Sequence, residues 1–275
     1  MTIFQRVMVA VDGSPASLYA LEQALRLGGE LAAIAVAPKA SYSGPGAPRQ
    51  EVEDKALAQA AALARAAGVS LKTLSDQGEP HERIIAAAER TGSDLIVVGL
   101  KGRDLPAAAL MGSTTARVIG FSPVDVLVVP EQAAVSLYKV LLPTDGSRYS
   151  QKAAGRALEI CAARGGELKV IAVLDAPPGF MAAAPEAAAD LLAGLRDITA
   201  EVQTRAQNLG LSCQAEVLQG SAFQAITSEA AKWQAGLIVM GSHGRTGLKR
   251  LLMGSVTERV IGFAPCPVLV VKGRA

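Results

Sequence analysis

The chain contains itself twice. The stretch SDLIVVGLKGRDLPAAALMGSTTARVIGFSPVDVLVVP (93–130) returns as AGLIVMGSHGRTGLKRLLMGSVTERVIGFAPCPVLVVK (235–272), with Gly99, Gly112 and Gly120 recurring at constant spacing as Gly241, Gly254 and Gly262. Earlier in each copy, VMVAVDGS (7–14) matches VLLPTDGS (140–147), and GGELAAIAV (28–36) matches GGELKVIAV (165–173). A repeat this long is a domain rather than a solenoid unit. With 275 residues in the chain, each copy can bury a core of its own. The boundary falls in the short stretch Glu131–Ser136, which divides the chain into domains 1–133 and 137–275.

Within each copy, short β-branched runs alternate with longer segments of helical period. In the second copy the runs are 139–143, 168–174, 212–218, 236–240 and 267–272. Between them Ala154, Leu158 and Cys161 share one helical face, and Leu191, Leu195, Ile198, Val202 and Leu209 form a longer apolar stripe. The first copy repeats this with Leu18, Leu21 and Leu25, then Val52, Ala56, Ala60, Leu63 and Ala67. Runs such as LIVVG and VLVVP are apolar on both faces, as in a parallel sheet covered by helices on each side. The fold expected is α/β: two tandem, doubly wound, five-stranded and mainly parallel sheets of Rossmann-like type. Ligands bind such sheets beyond the carboxyl ends of the strands, where the strand order reverses. The loops after the strands are therefore the ones to read.

Bulk properties narrow the function. Net charge is +2 with acidic and basic residues well mixed, which gives no large basic field for nucleic acid. No run of about 18 apolar residues lacks a charge, proline or polar break, so no membrane span is expected. The opening MTIFQRVMV enters a strand-like run without the regions of a signal peptide, so a cytoplasmic location is expected. Cys161, Cys213 and Cys266 are too dispersed for a disulfide framework and read as small buried hydrophobes. With His81 and His243 the only histidines, a zinc site has no local ligand set. No metal site and no catalytic residue is assigned.

After the first strand stands Asp12-Gly13-Ser14-Pro15 in copy one and Asp145-Gly146-Ser147 in copy two. One reading is a turn into a helix, with serine as cap and Pro15 at the first helical position. The other makes each aspartate a hydrogen-bond acceptor at the top of the sheet. After the fourth strand stands MGSHGRTGLKRLLMGSV (240–256). Gly241 and Gly244 leave room for backbone to approach a ligand, and Gly254-Ser255 opens a helix whose N–H groups point to the same place. This suits a phosphate, with Arg245, Lys249 and Arg250 to screen its charge. Ser255 with Glu258 also fits the S-x-x-E capping box, which needs no ligand, and position alone does not decide between the two. The P-loop spacing fails because Thr246 stands where its second glycine belongs.

Together these motifs resemble the universal stress protein family. Its nucleotide-binding members carry G-2x-G-9x-G-[ST] after the fourth strand, which Gly241, Gly244, Gly254 and Ser255 fit, as do Gly99, Gly102, Gly112 and Ser113. The DGS loop, the Ala-rich helices, Gly78-Glu79-Pro80 before the third helix and the closing VLVV strand extend the likeness over both copies. The resemblance implies ATP in a crevice, adenosine near the first strand, phosphates on the glycine loop, and magnesium (Mg2+) carried through the phosphates. In copy two, Thr144, Asp145 and Val173 would hold the adenosine end. Met240, Gly241, His243, Gly244, Gly254, Ser255, Val256 and Thr257 would line the ribose and phosphates. In copy one a second, weaker site would comprise Asp12, Val36, Gly99, Gly102, Gly112, Ser113 and Thr114. The family likeness also implies intramolecular pairing of the two domains through their last strands, Val126–Val129 and Val268–Val271. Whether two chains then associate as a homodimer is not written in the sequence.

Copy one departs from copy two at Ala10-Val11-Asp12 against Pro143-Thr144-Asp145, at Leu100-Lys101 against Ser242-His243, and at Asp104 and Pro106 against Thr246 and Leu248. A negative charge near the phosphates opposes a polyanion, offset in part by Lys101 and Arg103. Copy two is therefore expected to be the stronger ATP site. Phosphoryl transfer needs a positioned nucleophile and metal-ordering groups, and no acidic residue closely flanks the glycine loop of copy two. The function expected is that of a nucleotide-dependent stress-response or signalling protein with at most slow ATP hydrolysis. Two other readings stay open: a nucleotide-free interaction scaffold, and an adenylating ATP enzyme, of whose S-G-G-x-D-S signature only DGS is present. Segments Ala37–Pro48 and Ala176–Pro185 follow the second strands and read as flexible connections or as lids over the crevices.

Overall fold

Runs apolar on both faces become the central strands. In the computed structural model, which describes residues 2–37, 49–102, 110–177, 179–244 and 253–272, the chain divides into two units, Met1–Ala134 with Lys272–Ala275, and Val135–Val271. The first unit holds β1 (Arg6–Ala10), α1 (Pro15–Ala24), β2 (Glu30–Ala37), α2 (Arg49–Ala66), β3 (Leu71–Gln77), α3 (Pro80–Thr91), β4 (Leu95–Gly99), α4 (Ser113–Phe121) and β5 (Asp125–Val129). Its strands lie in the order 3-2-1-4-5, every neighbouring pair parallel. The order reverses between β1 and β4, where Val7 pairs with Leu95. Strand β4 is buried along its whole length, whereas β3 at the edge is mostly exposed.

The second unit repeats the plan with β6 (Lys139–Pro143), α5 (Arg148–Arg164), β7 (Glu167–Leu174), α6 (Phe180–Ala183), α7 (Pro185–Asn208), β8 (Ser212–Gln219), α8 (Ala222–Lys232), β9 (Leu237–Gly241), α9 (Ser255–Phe263) and β10 (Val268–Val271). The order is 8-7-6-9-10, again all parallel, with the reversal at Val140 against Leu237. Right-handed crossovers put the first two long helices of each unit on one face and the last two on the other. Accordingly α1 touches α2, α3 touches α4, and α8 touches α9.

The helical stripes need correction at their ends. Ala154, Leu158 and Cys161 are buried, as are Leu195 and Val202, but Leu191 is 45% and Leu209 57% exposed, because α7 outruns the sheet it covers. On α2, Ala56 and Ala60 are buried, while Val52 and Leu63 are half-buried and Ala67 is exposed. The buried face is rotated by about one residue from the apolar stripe, and it includes a charged side chain, Glu53, at 3% exposure. Of the two connecting segments, residues 38–48 lie outside the described residues, and Ala176–Pro185 contains α6. No helix among the described residues is long and apolar enough to cross a membrane.

One polar cluster sits inside the second unit. Lys169 of β7 is buried against Glu229 of α8, to which it donates a hydrogen bond, and its Nζ lies 2.9 Å from Glu216 of β8. Burial works against the lysine charge, but the hydrogen bonds and charges of Glu229 and Glu216 outweigh it and hold the pKa above its ordinary value. The first unit carries Ala32 at the matching place in β2.

Candidate functional site

Beyond the carboxyl ends of the strands each unit has a cavity, of about 300 Å³ in the first and about 290 Å³ in the second. These volumes reach the range of small-molecule sites. The second is lined by Thr144 and Asp145 after β6, Val173 of β7, Met240, Gly241, His243 and Gly244 after β9, and Gly254, Ser255, Val256 and Thr257 at the start of α9. All the residues assigned to the second site from sequence thus border one cavity. Pro143, Ser150, Ile171, Ala222 and Ile226 join them. The first cavity brings together Asp12, Val36, Gly99, Gly102, Gly112, Ser113 and Thr114, with Ser17, Ile34, Glu53, Pro80, Ile84 and Lys101 among the additional lining residues.

The loop after the first strand is built on an aspartate and a serine. Asp145 Oδ1 accepts the backbone N–H of Ser147 at 3.0 Å, and Ser147 caps α5 by accepting the N–H of Ser150 at 3.3 Å. In the first unit Asp12 Oδ1 accepts from the N–H and hydroxyl of Ser14, which caps α1, with Pro15 in its first turn. The turn reading is therefore met through Oδ1, and both aspartates border the cavities. Gly13 and Gly146 have φ of +78° and +77°, the left-handed region that favours glycine. Thr144 is buried, its hydroxyl 3.1 Å from that of Ser150 and accepting from Gly146 N–H at 3.4 Å. Val11 has no hydroxyl to offer; there Ser17 Oγ accepts the N–H of Asp12.

Each glycine of the loop after the fourth strand answers a different constraint. A Cβ on Gly241 would come within 2.8 Å of the backbone carbon of Tyr149, and one on Gly99 within 3.0 Å of that of Ala16. The first glycine thus makes room for the first helix, while also bordering the cavity. A Cβ on Gly244 would meet Asp145 Oδ2 at 2.9 Å, and one on Gly102 would meet Asp12 Oδ2 at 3.0 Å. Gly254 N–H donates to Ser242 O, and Gly112 N–H to Leu100 O, which closes each loop onto its strand. Thr257 Oγ1 then donates to Gly241 O at 3.1 Å, and Thr115 Oγ1 to Gly99 O at 2.9 Å, tying the helix start to the strand end.

The capping box is not formed. Gly254 is the N-cap of α9, at φ −69° and ψ 147°, with no side-chain cap hydrogen bond, and Ser255 is the first helical residue. Gly112 caps α4 in the same way. A helix start without a side-chain cap keeps its N–H groups for water or an anion. His243 lines the second cavity, its ring 5.3 Å from that of Tyr149 and its Nδ1 3.2 Å from Ser242 Oγ. Arg148 stacks on the same tyrosine at 4.7 Å. The ionisable side chains differ between the units: Asp145 and His243 border the second cavity, and Asp12, Glu53 and Lys101 the first. Arg103, Asp104, Pro106, Arg245, Thr246, Leu248, Lys249 and Arg250 lie outside the described residues.

The sequence reading missed Ser17 and Ser150, Ile34 and Ile171, and Ile84 and Ile226, although each pair recurs at matching places in the two copies. That recurrence was the available signal. Glu53 carried none, since a lone charge on an alanine-rich helix reads as a solvated face.

Comparison with known proteins agrees with this architecture. The model of the universal stress protein family matches residues 3–130 and again 137–272. A universal stress protein of Mycolicibacterium smegmatis is 31% identical over 234 residues, covering 82% of this chain and 77% of the relative. One from Methanocaldococcus jannaschii is 41% identical over 143 residues, half of this chain and 84% of that protein. The crystal structure of a universal stress protein from Archaeoglobus fulgidus superposes with a TM-score of 0.75 at 24% identity, covering 98% of each chain. Matched once in each half, the chain belongs to the universal stress protein family and carries two of its domains in tandem.

Proposed function

We propose that this chain is a cytoplasmic ATP-binding universal stress protein whose second cavity is the stronger ATP site, and that it acts as a nucleotide-dependent stress-response or signalling protein. The observation that carries the proposal is the start of α9. Gly254 caps it without a side chain, so the first N–H groups of a nine-residue helix are left for an anion, beside a loop whose glycines keep Cβ atoms out. Asp145, Val173, Ile171 and Ile226 border the other part of the same cavity and suit a nucleoside: apolar walls for a ring and a carboxylate for hydroxyl or amino donors. Asp145 Oδ1 already serves Ser147 and Oδ2 packs against Gly244, so magnesium would be held through the phosphates rather than by a protein cage.

Binding rather than turnover fits these residues. The hydroxyls of Thr144, Ser150 and Thr257 in the second cavity are engaged with one another or with backbone oxygens, and helix N–H groups stabilise charge without supplying a nucleophile. Hydrolysis would be slow, through water and the positioned phosphates. Isothermal titration of the full chain with ATP and magnesium tests the reading, together with mass spectrometry of nucleotide released on denaturation. Tight binding lost in Gly244→Val is expected; no released nucleotide and no heat with ATP would overturn it in favour of the nucleotide-free scaffold. Turnover of many ATP per second would overturn the binding assignment in favour of an enzyme.

A further inference from the structure

The start of α5 and the loop after β9 meet at one side chain, Tyr149. A Cβ on Gly241 would come within 2.8 Å of the Cβ of Tyr149, and the tyrosine ring lies 5.3 Å from that of His243, which borders the second cavity. The same tyrosine also holds Arg148. The guanidinium carbon stands 4.7 Å from the ring centroid, and Nη2 donates a 2.8 Å hydrogen bond to the tyrosine hydroxyl. Stacking and that bond fix a planar cation one ring away from a cavity wall.

Local stability does not ask for an arginine at this place. Arg148 is the first residue of α5, where the positive end of the helix dipole disfavours a cation, and no acidic residue stands in the first turn. Its tyrosine partner is a neutral hydroxyl, which takes one of the five donors of the fork and none of its charge. In the first unit Pro15 and Ala16 stand where the second has Arg148 and Tyr149, with Ala16 against Gly99 as Tyr149 is against Gly241. The turn thus forms with neither the cation nor the ring, and the pair is an addition that the architecture does not require.

Its position decides what it would meet. Ile171 and Val173 border the cavity from β7, whereas Gly241 and the glycine loop lie across β6, at the end of β9. A nucleotide with its base among the apolar residues therefore runs toward the side where Tyr149 packs. His243 Cα is the nearest neighbour, at 3.4 Å, of a Cβ on Gly254, the N-cap of α9, so a phosphate at that helix start lies beside His243. From buried Gly241 through half-buried His243 and Tyr149 to exposed Arg148, these residues lead from the cavity to the surface. A monophosphate needs only the inner end of that line. A triphosphate carries its added charge outward along it, to a guanidinium whose fork fits phosphate oxygens.

We infer, on the reading that places phosphates at this glycine loop, that Arg148, positioned by Tyr149, binds the terminal phosphate of a nucleoside triphosphate, so that the second domain distinguishes ATP from AMP by phosphate count. Calorimetric titration with ATP and with AMP, each with magnesium, tests this in full-length chains carrying Gly102→Val, which drives a side chain toward Asp12 and closes the first cavity. ATP should bind at least about tenfold tighter than AMP, the scale of one charge-assisted contact. Arg148→Ala should weaken ATP by about that factor and leave AMP within about twofold. Tyr149→Ala, the residue type the first unit uses, should reproduce this by releasing the arginine. Tyr149→Phe, which deletes one hydrogen bond and keeps the ring, should do so in part. A loss confined to ATP separates positioning from damage to the fold, which weakens both nucleotides alike. AMP bound as tightly as ATP, or a ratio of the two affinities unchanged by both Arg148→Ala and Tyr149→Ala in chains with native circular dichroism, would overturn the role of Arg148. ATP binding by those chains would still leave the functional reading standing, whereas no heat with either nucleotide, in the native chain as well, would remove both.

Discussion

Asp145 Oδ2 lies 2.9 Å from the point a Cβ on Gly244 would occupy, and Asp12 stands to Gly102 in the same relation at 3.0 Å. The carboxylate after the first strand and the second glycine of the loop after the fourth are thus fitted to each other across the point where the strand order reverses. Because Asp145 Oδ1 is held by the N–H of Ser147, the carboxylate cannot turn aside without losing that bond.

Gly244→Ala should therefore destabilise the second unit by about 1–2 kcal/mol, as overpacking does. In an Asp145→Ala background the same change should cost less than half as much. Urea unfolding of the four chains of this cycle measures the coupling, and equal costs in both backgrounds would refute the contact.

Lys169→Met removes the hydrogen-bonding partner of the buried Glu229, which keeps only the exposed Lys232 at 3.7 Å, and should cost about 3 kcal/mol. Lys169→Met with Glu229→Leu should recover most of the loss, since the first unit has Ala32 at the lysine position. A single variant within 1 kcal/mol of native stability, on the order of an exposed pair, would contradict the buried reading.

The same lysine sets a pH dependence. Its folded pKa is raised above the ordinary value of 10.5, so its stabilising contribution is fully present below that pH and is lost as pH rises through the folded value. Denaturant unfolding across alkaline pH should show this loss in the native chain. The Lys169→Met chain should lack it.

Thr257→Val deletes the hydrogen bond to Gly241 O and should lower stability by about 1 kcal/mol while loosening the start of α9. ATP affinity should fall as well, with Thr115→Val leaving it unchanged if the second cavity is the ATP site. Equal effects of the two substitutions on ATP binding would assign the nucleotide to both cavities.

Burial pushes the thiols of Cys161 and Cys266 up to about 12 and that of Cys213 up to about 11. Thiolate is the reactive form, so at neutral pH the buried Cys161 and Cys266 should resist a disulfide reagent until the chain unfolds, with half-buried Cys213 labelled slowly before them. Rapid labelling of the folded chain would show that these cysteines are not shielded.

The strands were readable because their signal is local. A run such as LIVMG has no polar face to expose, and the observed bounds of β6, β7, β8, β9 and β10 depart from the apolar runs by no more than a residue at either end. The helix faces were readable only in part. On α7 the stripe from Leu191 to Leu209 continues past the sheet, and its period gives no sign of where cover ends. On α2 the buried face turns toward Glu53, and hydrophobic period alone assigns a carboxylate to water. The loops that line the cavities were legible from the duplicated motifs, but the four-residue pattern left the capping box open. Ser255 and Glu258 have the right spacing, yet the loop hands the cap to Gly254 by bonding its N–H to Ser242 O. That choice is made by the path of the chain, which a four-residue pattern does not contain.

The seat of Gly241 against Tyr149 separates the glycine motif into parts with different fates. A chain of this fold that ceased to hold any ligand would be released from keeping Gly254, where a Cβ meets its nearest neighbour at an ordinary 3.4 Å. It would not be released from Gly241, because the first helix would still need to come as close to the fourth strand. The leading glycine reports helix docking, and the trailing Gly-Ser would report the proposed anion site. Chains that keep the first and have lost the second are thus expected to preserve the architecture after its ligand has gone.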